Sequence, residues 1–429
     1  MKHQLRPGSG NRLRQRTFIL ASLLLVGLAA TSGLAQGVPG CTYTQLTDAS
    51  DGDLLGVTKL TIGNQRAVME ARNSPFDPDG FDTFLYDAQL GEYLDGPDFV
   101  FPGPDALSMS PDDSHLAFTS IEDLVGGNPD RNREIFLFEI ATRTLSQLTD
   151  TVAPSSNFQP RLSADGRKIA FTSTADLVTG QNPGGEVKAF VFDRDTGQYA
   201  QVTEVPGRVR EIRMSDDGAY LAVVEFITSQ IGDLWRVEVE TLDAELIASS
   251  VFGGGLSLAA IDGSGDRIAF SSTEDLVPGR NPDGTLEVFV YDAAADTFLQ
   301  ISDSAAFDAD YPSLSRDGRR IAYASGTGNP STGLSVFVGA IDTGVVEPIV
   351  SVGRSYFPVL SADGQRVVFW GETDLTGGNP ALDTEFFLAE CPELGGIATI
   401  PTASGYGLAL LALLLAGGAT FLLRRRRHV

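Results

Sequence analysis

Residue types that commonly carry catalysis are scarce in this chain, and one type is abundant. Its 429 residues hold three His and two Cys against 56 Asp and Glu. No Gly-x-Ser-x-Gly elbow, His-Glu-x-x-His, Cys-x-x-Cys or Gly-x-x-x-x-Gly-Lys-Ser/Thr occurs, so none of the chemistries those motifs announce is indicated. His115, the one histidine between the two ends, stands beside an Asp turn and reads as a surface residue rather than a base. The carboxylates offer two other routes. The runs Asp77-Pro-Asp79-Gly-Phe-Asp82 and Asp130-Arg-Asn132-Arg-Glu134 space oxygens as a Ca²⁺ ion needs them, although neither completes an EF-hand, and solvated turns are the simpler reading. Two carboxyl groups could also cleave a glycosidic bond between them, but no spacing singles out such a pair. Apart from that calcium, no cofactor is indicated.

The charge is unevenly spread. Lys2, Arg6, Arg12, Arg14 and Arg16 precede Ala35, Arg424 to Arg427 form a run at the other end, and neither segment holds an acid. Residues 36–423 keep 22 basic and 56 acidic side chains, a formal charge of −34. Such a field repels phosphate backbones and excludes nucleic acid as a partner. The basic start, the apolar run Phe18 to Ala30 and the small residues Gly33 and Ala35 read as a signal peptide over 1–35, with cleavage after Ala35. Residues 404–423 are apolar and long enough for a transmembrane helix, followed by a cytoplasmic basic tail at 424–429. The body is then expected outside the cytoplasmic membrane, in the cell envelope.

The segment before that helix, a linker and motif over 396–403, carries more than an anchor needs. Ile400, Pro401, Thr402, Ser404 and Gly407 match the pattern Ile-Pro-Thr-Leu-Ser-Glu-Trp-Gly, while Ala403, Gly405 and Tyr406 depart from it. With the helix and the arginines behind it, this resembles the C-terminal sorting signals of bacteria that use exosortases. The resemblance implies an exosortase-like transpeptidase as a partner for the tail; a plain single-span anchor is the alternative.

Between the ends the chain repeats itself. Leu162-Ser-Ala-Asp-Gly-Arg-Lys-Ile-Ala-Phe171 returns at Leu314 and Leu360, and in weaker form at Leu60, Met109, Met214 and Ile261. Seven units of about 50 residues, each with four short β-rich runs, predict an all-β, seven-bladed propeller over 36–395. Asp112, Asp165, Asp217, Asp317 and Asp363 recur as turn residues and so read as scaffold. The repeats resemble those of TolB-like propellers, whose inner strand ends in Ser-Pro-Asp-Gly, as Met109-Ser-Pro-Asp-Asp113 does. That family commonly has six blades, which makes six the alternative count. Cys41–Asp48 resembles a fourth, outer strand with nothing before it, and the last unit lacks a fourth strand, so strand 41–48 is expected to close the last blade. Cys41 and Cys391 then lie on neighbouring strands, and a bridge between them would contribute on the order of 5 kcal/mol. Free thiols, or a lipid on Cys41, are the alternatives.

Asp-Leu-Val/Thr loops ending in Asn-Pro recur at 123–129, 176–183, 275–282 and 374–380, with Gly328-Asn-Pro330 as a remnant. They share a face with Asp51, Asp53, Asp130, Glu134, Asp308 and Asp310. The leading expectation is an exported, non-catalytic propeller that binds a protein or glycan through this face. The competing one is a carbohydrate-active enzyme with paired carboxylates in the propeller channel.

Overall fold

A computed structural model of the protein describes residues 40–391 apart from 48–58, 73–80, 94–105, 203–207, 227–230, 253–258, 305–307, 327–332, 351–352, 380–381 and 383. Strand β1 is Thr42–Gln45. Groups of four follow: β2–β5 (Lys59–Ile62, Arg66–Arg72, Phe81–Asp87, Glu92–Tyr93), β6–β9 (Leu107–Met109, His115–Ser120, Glu134–Glu139, Thr144–Gln147) and β10–β13 (Asn157–Leu162, Lys168–Ser173, Lys188–Asp193, Gln198–Gln201). Then come β14–β17 (Arg208–Met214, Tyr220–Phe226, Ile231–Glu238, Ala244–Phe252), β18–β21 (Ala259–Ile261, Arg267–Ser272, Glu287–Asp292, Thr297–Gln300) and β22–β25 (Ala309–Leu314, Arg320–Gly326, Leu334–Ala340, Val345–Pro348). Three strands, β26–β28 (Arg354–Leu360, Arg366–Glu372, Glu385–Glu390), end the described chain.

Hydrogen bonding gathers these strands into six sheets, five of four strands and one of eight. This corrects the seven-bladed expectation. The reason lies in β17, whose nine residues extend far enough for Val251 to pair with Ser272 of β19, so the fourth and fifth repeats share one sheet. The expected membrane helix has no counterpart among the described residues, which form no helix, and none long and apolar enough to cross a membrane. The signal peptide 1–35, its cleavage site, the sorting motif and the span 404–423 lie outside the described residues. The membrane, transpeptidase and envelope expectations therefore have no support in the described fold.

The repeated motif has a physical cause in each turn. Asp165 Oδ1 accepts from Ser163 Oγ (2.8 Å) and from Arg167 N (3.0 Å), and Gly166 takes a φ of 64°. A Cβ on Gly166 would lie 2.6 Å from His115 Nδ1 of the preceding repeat, so the glycine is required for close approach as well as for its φ. The basic residue after the turn bonds the next turn's glycine carbonyl: Arg267 Nη1 to Gly318 O at 2.8 Å and Arg320 Nη1 to Gly364 O at 2.9 Å. The degenerate first repeat borrows its turn acid. Asp113 accepts from the N–H groups of Asn64, Gln65 and Arg66 at 2.8–3.1 Å.

Within a sheet, rings on the second and third strands stand opposite each other and stack: Phe118–Phe136 at 5.6 Å, Phe171–Phe190 at 6.0 Å, Phe270–Phe289 at 6.1 Å and Phe369–Phe387 at 5.8 Å, all fully buried. The first strands contact one another in succession around the centre, β26 against β2 included. They enclose a channel. At the turn end a chain of backbone bonds links successive turns, from Ala164 to Asp216, Gly263, Arg316, Ala362 and Gly63, at 2.7–3.1 Å. The equivalent position in the second repeat is Pro111, which has no N–H to give.

Strand β1 pairs antiparallel with β28 and completes the sheet β26–β28. Cys41 and Cys391 are joined by a disulfide across 350 residues, with Cα atoms 4.4 Å apart. Gln45 and Thr47 do for this sheet what Gln147 and Thr149 do for β6–β9: Gln45 Nε2 donates to Thr47 O at 2.8 Å as Gln147 Nε2 does to Thr149 O, and Phe386 N donates to Thr47 Oγ1 as Ile135 N does to Thr149 Oγ1.

Candidate site in the central channel

Most carboxylates that the sequence singles out are already engaged. In the Asn-Pro loops, Asp176 accepts from Gly180 N (2.7 Å) and Asn182 N (2.8 Å), and Asp275 from Gly279 N (2.7 Å) and Asn281 N (2.9 Å). These bonds hold both carboxyls below the ordinary Asp value. Asn128, Asn182, Asn281 and Asn379 are buried and fold each loop back on itself. The loops are thus clasps, which removes the basis for a binding face built from them.

The calcium candidates divide in the same way. Asp77 and Asp79 lie outside the described residues, and Asp82 is on β4 opposite Ala71. Asp130 accepts from Ala153 N at 2.9 Å, and Asn132 Nδ2 donates to Thr151 O at 2.7 Å. Glu134 is fully buried and holds Thr151 N, Thr151 Oγ1 and Asn157 Nδ2 at 2.7–2.9 Å. Asp51, Asp53 and the remnant 328–330 lie outside the described residues. His115 is buried, not on the surface. It occupies the slot that Lys168, Arg267 and Arg320 fill in other repeats, its Nε2 lies 3.2 Å from Arg194 Nη1, and burial together with that cation pushes its pKa down.

The channel differs. Four residues before the turn serine, β10, β22 and β26 carry Gln159, Tyr311 and Phe357, each followed by Pro and each at a φ of 50–60°. The strand register slips at all three. A bulge that puts bulky residues in the left-handed region costs energy and re-aims side chains, a combination that marks functional sites. Here it assembles aromatic rings: Tyr311 to Phe357 at 4.3 Å, Phe357 to Trp370 at 5.1 Å, and Trp370 to Tyr356 at 4.6 Å. All four are only partly buried. Gln159 Oε1 is enclosed and accepts no hydrogen bond among the described residues.

Charge enters the same region from β10, β14 and β22. Glu211 is buried and ion-paired with Arg213. Asp310 Oδ1 accepts from Ser271 Oγ (2.8 Å) and Tyr311 N (2.7 Å). Burial pushes the Asp310 carboxyl up to about 6 against those two bonds, and the charges of Glu211 and Asp308 raise it further. Between β14 and β22 stands β18, which offers only Ala259 and Ala260 at its start. Two residues before the turn serine, Arg161 and Arg213 face a cavity of about 190 Å³ shared with Ser108, Ala260, Ser313 and Val359. At its turn end Arg316 Nε lies 2.7 Å from Asp216, whose carboxyl burial pushes up to about 6.

Of these residues the sequence points only to Asp310, and then as one acid of a loop face. Glu211, Arg161, Arg213 and the aromatic group are not singled out by any motif. Repeat alignment holds a signal for two of them: Arg161 and Arg213 stand where other repeats place Ser108, Ala260, Ser313 and Val359.

No protein-family model matches the chain, and no curated protein sequence does. Among solved structures, an oligogalacturonate lyase in complex with manganese is similar at a TM-score of 0.53 and 14% identity, covering 84% of this chain and 99% of that one. The β-propeller domain of the Trilobed protease from Pyrococcus furiosus is similar at a TM-score of 0.53 and 12% identity, covering 77% and 94%. TolB from Acinetobacter baumannii reaches a TM-score of 0.41 at 15% identity, covering 76% and 79%. Among the described residues no three His, Cys, Asp or Glu side chains converge as a metal site, so they do not fit a manganese centre, and no step below runs through a metal. The first two likenesses show the fold alone: the chain is a β-propeller.

Proposed function

We propose that the protein is a carbohydrate-active enzyme that cleaves a glycan in its channel by acid–base catalysis between two carboxyl groups. This replaces the expectation of a non-catalytic binding module. The observation that carries it is the contrast between Asp310 and Glu211: one carboxyl keeps its proton to about pH 6, and the other is held by an arginine within reach of the first one's field. Pairs of acids whose surroundings separate their roles are the usual mark of an acid and its base. Asp310 donates a proton to the leaving oxygen, and Glu211 accepts one from water or from the sugar. The rings of Tyr311, Phe357 and Trp370 at the same level suit the apolar face of a sugar. The likeness to an oligogalacturonate lyase concerns fold alone, and it sets uronate oligosaccharides as the first substrates to try.

The test is a panel of neutral and uronate oligosaccharides, followed by new reducing ends and unsaturated products. Cleavage is expected, with turnover falling as pH rises through about 6 because the acid must be protonated. Asp310→Asn is expected to lower turnover by roughly 10²–10⁴ with the fold intact. Turnover unchanged in both Asp310→Asn and Glu211→Gln would refute the assignment, as would a panel with no cleavage.

A further inference from the structure

We propose that the channel has a second mouth at its turn end, and that Arg316 and Asp216 together form the gate that closes it to water and small solutes. The inference goes beyond the glycan reading and stands whether or not the channel cleaves a sugar.

Three observations support it. The first is what stands between two spaces. The cavity of about 190 Å³ lies on the channel side of the backbone bonds that link successive turns, and a depression of about 550 Å³ lies on the turn face, where Asp217, Asp317 and Asp363 are exposed. Both are lined by Gly263, Arg316 and Ala362, so these residues are the partition. Second, that partition has one substantial part. The linked turn positions and their equivalent in the second repeat are Gly63, Pro111, Ala164, Asp216, Gly263, Arg316 and Ala362. Five of them are too short to reach across an opening; the other two meet as an ion pair. Arg316 crosses Gly263 to reach Asp216: a Cβ on Gly263 would lie 2.7 Å from Arg316 Cγ and 2.9 Å from Asp216 Oδ2. Gly263 is not in the left-handed region, so glycine supplies room for the pair there rather than backbone freedom. Third, the closure is light. Arg316 Nε lies 2.7 Å from Asp216 Oδ2, yet that enclosed oxygen accepts no aligned hydrogen bond among the described residues, and the Arg316 side chain is half exposed. Charge alone holds such a pair, and water weakens it. Burial pushes the Asp216 carboxyl up to about 6 against the pull of Arg316, with Asp217, Asp262 and Asp112 adding to the rise; Arg161 and Arg213 face the same cavity. The bonds between turns are all backbone, so Arg316 can swing outward without breaking them. The opening is then one side chain wide, enough for water and small solutes but not for a polymer.

The test is thiol labelling of the full chain with a small methanethiosulfonate reagent. Both native cysteines are joined, so Ser108→Cys, buried in the cavity wall, supplies a single free thiol; Ser313→Cys, on another strand of the same wall, is a second reporter. Ser335→Cys is the control: it is fully buried on β24, in the sheet that Arg316 belongs to, and does not line the cavity. Labelling of an enclosed thiol follows the population of the open form, so Arg316→Ala is expected to speed the cavity reporters roughly ten-fold or more. Asp216→Asn should speed them by a smaller factor, because it removes the attraction and keeps the arginine. The control should label at the same rate in all three backgrounds. Cavity rates unchanged by Arg316→Ala would overturn the gate, since the turn end would not be the route. Rates raised by Arg316→Ala alone would overturn it as well, because Arg316 would then be a fixed plug. Acceleration of the control in step with the reporters would replace the gate by a general loosening of that sheet.

Discussion

The Asn-Pro loops and the channel use the same residue type to opposite ends. Asp176 and Asp275 lie in the open and receive backbone N–H groups, so their charged form is favoured. Asp310 and Asp216 are enclosed, and for each the loss of water outweighs the partners it has, so the neutral form is favoured up to about pH 6. The loop acids recur from repeat to repeat and hold turns together. The channel acids occur once. Recurrence with backbone donors marks scaffold, and a single copy with a raised pKa marks chemistry.

The two groups should drive stability in opposite directions with pH. For Asp310 and Asp216 the folded pKa exceeds the unfolded one, so their contribution is fully present below about pH 4 and is lost as pH rises through about 6. A shift of about two units is worth up to roughly 3 kcal/mol for each. Denaturant unfolding at pH 4.5 and 7 should show that loss, and the double variant Asp310→Asn, Asp216→Asn should flatten it. An unchanged slope in the double variant would erase the distinction between the two regions.

A smaller effect is expected from Glu134→Ala. Glu134 is buried and anchors Thr151 and Asn157, so its loss strands their donors and should cost roughly 2–3 kcal/mol at pH 7. Turnover of the folded fraction should not change. A catalytic defect without destabilisation would move Glu134 from scaffold to site. Smallest is Asp176→Ala, which frees two exposed backbone N–H groups. It should lower the melting temperature by no more than a few degrees, and the loss should fade as the medium is acidified through the depressed pKa of Asp176. A pH-independent loss would mean that its charge plays no part.

The sequence displays what is repeated. Ser163 and Asp165 can be read as a turn because the same pair stands at 315 and 317 and at 361 and 363, and the two cysteines can be placed on neighbouring strands because the first outer strand lacks a sheet. What happens once is hard to read. Nothing local to Arg161 or Glu211 distinguishes a channel charge from a solvated one; the distinction depends on which strand is innermost and how far along it each residue sits. The sheet count was hidden for a similar reason. A few extra residues in β17 join two repeats that look separate on paper. His115 illustrates the reverse error: it sits in a motif position, and it is the packing against Gly166 and Arg194 that buries it.

The pairing of β1 with β28 also bears on how the chain comes into being. Synthesis delivers Thr42–Gln45 first and its hydrogen-bonding neighbour, Glu385–Glu390, last. Until then both β1 and the edge of β27 offer open backbone groups to any other strand nearby. A polypeptide that stops short of residue 385 therefore cannot shut the ring, however well its middle repeats fold. Cys41 waits just as long, since its partner is residue 391. The disulfide thus reports a chain translated at least through residue 391 and closed: a free thiol at Cys41 identifies one that stopped earlier or never closed.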